Sequence, residues 1–266
     1  LNESLDKNGK KNVEKKTKKS SKINLNENNN NINKIKNTIK LNDYEINTLD
    51  YNEAIKIDKR TYLQYYFSLL RMGHLFLFSF MPNNDYNITI IKIFLFFFSF
   101  ALYYTVNASF FTDSTMNKIY EGQYGFIYQI PNILYSNLIS TFINIVVRSL
   151  SLSGKDVSKI RFYQKKENID LKVATIRKCI TKKFILFFIV SFCFLFIFWF
   201  YVSCFCAVYP NTQFLLIKDT IISFGLSLIY PLGYYLIPGI FRITSLRNEK
   251  KNKQCMYKIS LLIQML

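Results

Sequence analysis

Residues 184–208 read FILFFIVSFCFLFIFWFYVSCFCAV, twenty-five residues without a charge, and Lys182-Lys183 stand directly before them. A helix rises about 1.5 Å per residue, so roughly 20 mostly apolar residues cross a hydrocarbon layer about 30 Å thick. This run meets that length with residues to spare. Working outward from it, three more segments meet it: 88–111, 126–150 and 214–241. The apolar residues, half of a chain of 266 that includes 26 Phe and 19 Tyr, therefore sit in blocks. One soluble core does not explain blocks of this length. In lipid every backbone polar group must be satisfied within its own segment, so the blocks read as helices. The sequence predicts an all-α, polytopic membrane protein with four transmembrane helices inside residues 41–246.

The segments around the blocks are basic. Net charge is +18, from 35 Lys and Arg against 17 Asp and Glu. Residues 1–40 are a Lys/Asn-rich tract without aromatics. Such a stretch buries too little surface to offset its ordering entropy and reads as a disordered cytoplasmic tail. Residues 247–266 read as a second basic tail, and 41–60 as a short surface helix. Residues 62–81 (YLQYYFSLLRMGHLFLFSFM) place Arg71, Gly73 and His74 in the middle of an aromatic run. A central Arg costs about 2.5–3.5 kcal/mol in a span, so this segment is expected to be an amphipathic helix in the interface, with a fifth span as the alternative.

Charge placement gives an orientation. On one side of a four-span arrangement, 1–87, 149–183 and 242–266 hold fifteen, ten and six Lys and Arg; on the other, 112–125 and 209–213 hold one, Lys118. Positive loops stay in the cytoplasm, which predicts both termini and the middle segment inside. Lys92 and Arg148 lie near span ends and are expected to snorkel. Tyr103, Tyr104, Trp199, Tyr201 and Tyr209 approach the outer ends of spans one and three, where amphipathic rings favour the headgroup level. Of the sequons, Asn107-Ala-Ser109 is expected to lie too close to the membrane for glycosylation, while Asn2-Glu-Ser4 and Asn87-Ile-Thr89 fall inside.

Two spans carry polar stripes. In the second, Gln129, Asn132, Ser136, Ser140 and Asn144 recur at three- and four-residue spacing and fall within one third of the helix circumference. Amides in hydrocarbon need partners, so this face meets another helix or a wet cavity. Ser136 and Ser140 also permit close helix approach. The fourth span answers with Asp219, Ser223, Ser227 and Pro231, each four apart. Pro231 has no N–H for the Ser227 carbonyl. Asp219 is the one carboxylate within a span. An intramembrane acid points to function, although near the outer end it can also reach interfacial water. Counted from the outer ends, Asn132 matches Asp219, Ser136 matches Ser223 and Ser140 matches Ser227 to within about 1.5 Å of depth. Spans two and four are therefore expected to pack as parallel neighbours, with Asp219 bonded to Gln129 or Asn132. The seam reads either as interhelical glue or as the wall of a path.

No catalytic pattern emerges. There is no P-loop, dinucleotide fingerprint or H-E-x-x-H, and His74 is the sole histidine. Of five cysteines, Cys193, Cys204 and Cys206 lie in the third span, where Cys acts as a small hydrophobe; Cys179 and Cys255 complete an odd set without a disulfide framework. No second pair or His stands near Cys204 and Cys206 to complete a metal site. No enzyme activity, metal or cofactor is expected. The basic segment 151–183 sits between two spans, so its expected partner is the anionic inner leaflet, at about 1 kcal/mol per nearby Lys or Arg, and not nucleic acid.

Several phrases are distinctive: Asp58–Tyr66 (DKRTYLQYY), Asp113–Tyr120 (DSTMNKIY), Phe126–Pro131 (FIYQIP), Ser151–Asp156 (SLSGKD), Trp199–Gln213 (WFYVSCFCAVYPNTQ), Leu216–Ser223 (LIKDTIIS) and Pro238–Arg242 (PGIFR). In them the chain resembles a family of uncharacterised multi-pass transmembrane proteins of ciliated protists, over about residues 41–246. The resemblance implies a location in a membrane and no particular activity. Two function classes follow. One is a non-enzymatic membrane anchor or assembly module whose basic cytoplasmic segments meet lipid, a protein partner or a second copy. The other is a channel or transporter subunit with a polar path between spans two and four.

Overall fold

The computed structural model describes residues 41–83, 85–163, 169–247 and 253–265. The tract 1–40, read above as disordered, lies outside these residues, as do 164–168 in the middle basic segment and 248–252 in the last. From Asp43 onward the chain forms one unit, and its described residues are mostly helical with no strand among them. The helices are α1 (Asp43–Asn47), α2 (Tyr51–Ile57), α3 (Tyr62–Gly73), α4 (Leu75–Phe80), α5 (Thr89–Ser109), α6 (Asp113–Tyr120), α7 (Phe126–Ser151), α8 (Gly154–Tyr163), α9 (Ile169–Val208), α10 (Gln213–Tyr234), α11 (Leu236–Arg247) and α12 (Gln254–Met265). Four stretches are long and apolar enough to cross a membrane: Thr89–Ser109, Ile127–Ser151, Asp170–Val208 and Gln213–Arg247.

The local chemistry explains the ends. Thr61 and Gln64 close a capping box at α3: the Thr61 hydroxyl accepts from the Gln64 N–H at 3.3 Å and the Gln64 side chain accepts from the Thr61 N–H at 2.9 Å. The connection from α9 to α10 is four residues long, and Asn211 turns it at φ 72°, a conformation Asn tolerates better than most side chains. Pro238 stands in the first turn of α11, where a missing N–H costs no helical bond.

α5 is the central helix. It packs against α4, α7, α9 and α10, and α7 packs in turn against α9 and α10. Leu95, Phe98, Leu102 and Val106 of α5 face Val147 of α7 and Phe187 and Phe198 of α9 in one apolar cluster. Their three- and four-residue spacing forms a single stripe. Ser136 and Ser140 on α7 are fully buried, small enough to let helix backbones approach.

The structure changes several sequence-based boundaries. Residues 62–81 are two helices and not one: Gly73 ends α3, and the extended His74 starts α4 with its Nδ1 accepting from the Leu77 N–H. Much of the segment 149–183 is helical, because α9 begins well before Phe184, at Ile169. Its Lys and Arg are good helix formers that a test for apolar length passes over. The fourth span breaks at Tyr235. The described part of the C-terminal segment is no loose tail: α12 packs on α11, and Tyr257 and Ser260 are buried there. Lys92 does not reach past the protein surface; it is buried and paired with Asp85 at 3.1 Å. Tyr103 is buried too, donating to the Asn137 Oδ1 at 2.9 Å, so it is no headgroup anchor. The hydroxyl found a partner on α7 and let the ring enter the core.

Candidate functional site

The end of the bundle with the short connections, α6 and the 209–212 turn, holds a neutral polar seam. Asn107, near the end of α5, is its hub. The Asn107 Oδ1 accepts from Ser136 of α7 at 2.5 Å and from Ser223 of α10 at 3.4 Å, and its Nδ2 donates to Thr220 of α10 at 3.5 Å. Asn107, Ser136, Thr220 and Ser223 are all at most 3% exposed. The serines matched in depth by the sequence thus meet on one oxygen, supplied by a third helix. Ser223 and Thr220 also bond back to the carbonyls of Asp219 and Leu216.

The remaining stripe residues are placed less uniformly. Asp219 is buried, and its Oδ2 accepts from the Tyr124 hydroxyl at 2.7 Å, while Oδ1 has no partner. The expected direct bond to Gln129 or Asn132 is replaced by this one: Tyr124, just before α7, reaches Asp219 and lies against Asn132. Burial first, and then the Asp219 carboxylate, push the Tyr124 phenol well above its usual range. Gln129 is buried without a side-chain bond to the seam. Ser140 is buried with an unpartnered hydroxyl, Asn144 donates to Ser99 of α5 at 2.8 Å, and Ser227 donates to the Phe224 carbonyl of its own helix and lies within reach of the Tyr103 hydroxyl of α5. Asn107 was missed as a hub because it stands in a sequon at a span end, where the sequence alone suggested exposure.

The opposite end holds a charged knot that sequence reasoning did not find. Arg242 of α11 is fully buried. Its Nη2 pairs with the Asp58 Oδ2 at 2.9 Å, and its Nη1 and Nη2 donate to the Asn47 and Ile46 carbonyls at 3.1 and 2.8 Å. Its guanidinium lies 5.0 Å from the Tyr65 ring centre and 4.9 Å from that of Tyr257. Arg60 grips the same carboxylate, with Nε on Oδ1 at 2.8 Å and Nη2 on Oδ2 at 2.9 Å, and extends to the Asn47 side chain at 2.7 Å and Ser68 at 3.1 Å. Burial alone would raise the Asp58 carboxyl, but Arg60 and then Arg242 hold it below its usual value. The Tyr257 phenol is pushed up to about 12, chiefly by burial, and donates to the Leu49 carbonyl at 2.6 Å. The Ser260 hydroxyl donates to the Pro238 carbonyl at 2.8 Å. The knot thereby ties the N-terminal helices and α12 to the end of the fourth span.

At the start of α5 and the end of α7, two cations share one ring. Lys92 and Arg148 lie 5.2 and 5.0 Å from the centre of Phe78. Nearby, the bend at Tyr235 is covered by α3: the Tyr62 and Tyr66 hydroxyls donate to the Leu236 and Leu232 carbonyls at 3.1 and 2.9 Å. No cluster of three or more His, Cys, Asp or Glu among the described residues is placed to hold a metal ion. No family model, curated protein or solved structure matches the chain.

Proposed function

We propose that the chain is a non-enzymatic membrane anchor or assembly module, with both termini in the cytoplasm and the basic segments facing the anionic leaflet. The observation that carries this reading is the closure of the seam. The polar groups of Asn107, Ser136, Thr220 and Ser223 bond to one another at almost no exposure, the pattern of interhelical glue and not of a wetted wall. Support for the orientation is the ten-to-one split of Lys and Arg between 149–183 and 112–125. A protein partner or a second copy would meet the same basic segments.

A channel or transporter is the second reading. It is favoured by one observation, the buried and unpartnered Oδ1 of Asp219, with the orphan hydroxyls of Ser140 and Ser191. Reconstitution into planar bilayers and vesicles separates the two. An anchor carries no ion current and no proton flux. A flux abolished by Asp219→Asn would replace the anchor reading with the channel one. Orientation is tested separately, by impermeant thiol labelling of single cysteines in a cysteine-free chain. Labelling from outside at 155 but not at 117 would reverse it.

A further inference from the structure

Arg148 is an in-span cation that no carboxylate among the described residues answers. Lys92, against the same Phe78 ring, is neutralised by Asp85. Arg148 has no carboxylate partner among the described residues; its one hydrogen bond there is a long one, Nη1 to the Gly73 carbonyl at 3.5 Å. Its Nε and Nη2 have no hydrogen-bond partner among the described residues, and the side chain is partly exposed. Around the ring the charges therefore sum to one uncompensated positive charge. A guanidinium with free donors on a half-buried site is a receptor for a planar or tetrahedral oxyanion.

What lies beside it narrows the anion. Gly73, whose carbonyl Arg148 holds, packs so tightly on Tyr235 that a methyl group there would overlap the Tyr235 hydroxyl. Tyr235 in turn lines a groove with Tyr230, Pro231 and Tyr234 at the bend of the fourth span. Tyr234 donates to the Ile263 carbonyl at 2.6 Å, whereas the Tyr230 ring is 68% exposed. The groove thus offers an amphipathic aromatic wall that Tyr235 and Gly73 connect to Arg148, which stands three residues before α7 ends at Ser151. This is the level where a lipid chain gives way to its headgroup.

We propose that Arg148 and the groove of Tyr230 and Tyr235 bind the phosphate of an anionic lipid headgroup. The proposal rests on the membrane placement of the chain and makes its lipid contact specific to one site; the basic helices α8 and α9 contribute only a diffuse field. The test uses the full chain purified in neutral detergent and exchanged into phosphatidylcholine discs with or without phosphatidic acid. Retained phosphatidic acid is read by mass spectrometry. Arg148→Gln is expected to lower retention about fivefold, while Arg148→Lys, which keeps the charge but not the guanidinium donors, recovers part of the loss. Equal retention by Arg148→Gln and the wild-type chain overturns the proposal.

Should Arg148→Gln fail to fold, the wild-type chain decides. A photoreactive phosphatidic acid is expected to cross-link at Tyr230, Tyr235 or residues 145–149. Cross-links confined to 170–183 overturn the site. Inorganic phosphate that raises the melting temperature as much as the lipid does would move the site to a soluble phosphate and overturn the lipid assignment. A measured ion current would remove the anchor reading and leave these outcomes unaffected, so the two failures are distinguishable.

Discussion

The seam around Asn107 and the knot around Arg242 solve the same problem with opposite means. Both join segments distant in sequence through buried polar groups. The seam uses amides and hydroxyls alone, and its hub reaches α7 and α10 from a third helix. The knot uses three full charges, with one carboxylate between two guanidiniums. The difference follows from what each must hold. Long helices with apolar flanks are already confined, and a neutral bond worth about 0.6 kcal/mol is enough to fix their register. The short helices α1 and α2 have few apolar residues to bury, so a charged cluster must hold them to the end of the fourth span.

The comparison breaks most visibly at the knot. Asp58→Ala would leave Arg60 and Arg242 buried without their anion and is expected to cost about 3–5 kcal/mol, read as a large fall in melting temperature in detergent. Loss of under about 1 kcal/mol would mean the cluster is not a clamp. Acid offers the same break without mutation. The folded Asp58 titrates below its unfolded value of about 3.9. Its contribution is therefore complete above that value and is lost as pH falls through the folded one. Melting should be flat from about pH 7 to 5 and drop below about pH 4, and the drop attributable to Asp58 should vanish in Asp58→Asn.

The seam should yield less. Asn107→Ala removes contacts to Ser136, Ser223 and Thr220, a total of about 2 kcal/mol at the average for in-membrane bonds. Tyr124→Phe strips Asp219 of its one side-chain donor and leaves both carboxylate oxygens unpartnered. About 1 kcal/mol is expected, with a larger loss when Asp219 is charged than in Asp219→Asn. Equal losses in the two backgrounds would detach Tyr124 from Asp219.

How much of this could be read in advance depends on range. The four spans were legible because apolar length is a local property, and the stripes of α7 and α10 were legible because a period near 3.6 shows polar residues against an apolar ground. The matched depth of Ser136 and Ser223 followed from counting along helices. Asn107 was hidden because the polar residues of α5, Lys92, Ser99, Thr105 and Asn107 among them, do not recur as the long stripe seen in α7. The knot was hidden by distance: Asp58 and Arg242 are separated by 184 positions, and no local rule pairs them. Gly73 and His74 stood in plain view in 62–81, but whether a Gly-His step kinks or breaks a helix is decided by Tyr235 packing on Gly73 from the fourth span.

The finest test concerns the shared oxygen. Ser136 and Ser223 donate to the same Asn107 Oδ1, at 2.5 and 3.4 Å, and Ser223 has a second acceptor in the Asp219 carbonyl at 2.8 Å. Ser223→Ala alone should therefore be nearly silent, and Ser136→Ala should cost less than a whole bond, because the freed oxygen can draw Ser223 closer. Removing both leaves the buried oxygen with neither donor. The double variant should then lose more than the sum of the singles, by about 0.5 kcal/mol, within the range measured for residues in one hydrogen-bond network. In an Asn107→Ala background the coupling should disappear, since nothing is left to share. Strict additivity in the native background would mean that the two serines are held by their own helices, and that matched depth in α7 and α10 is a coincidence of spacing.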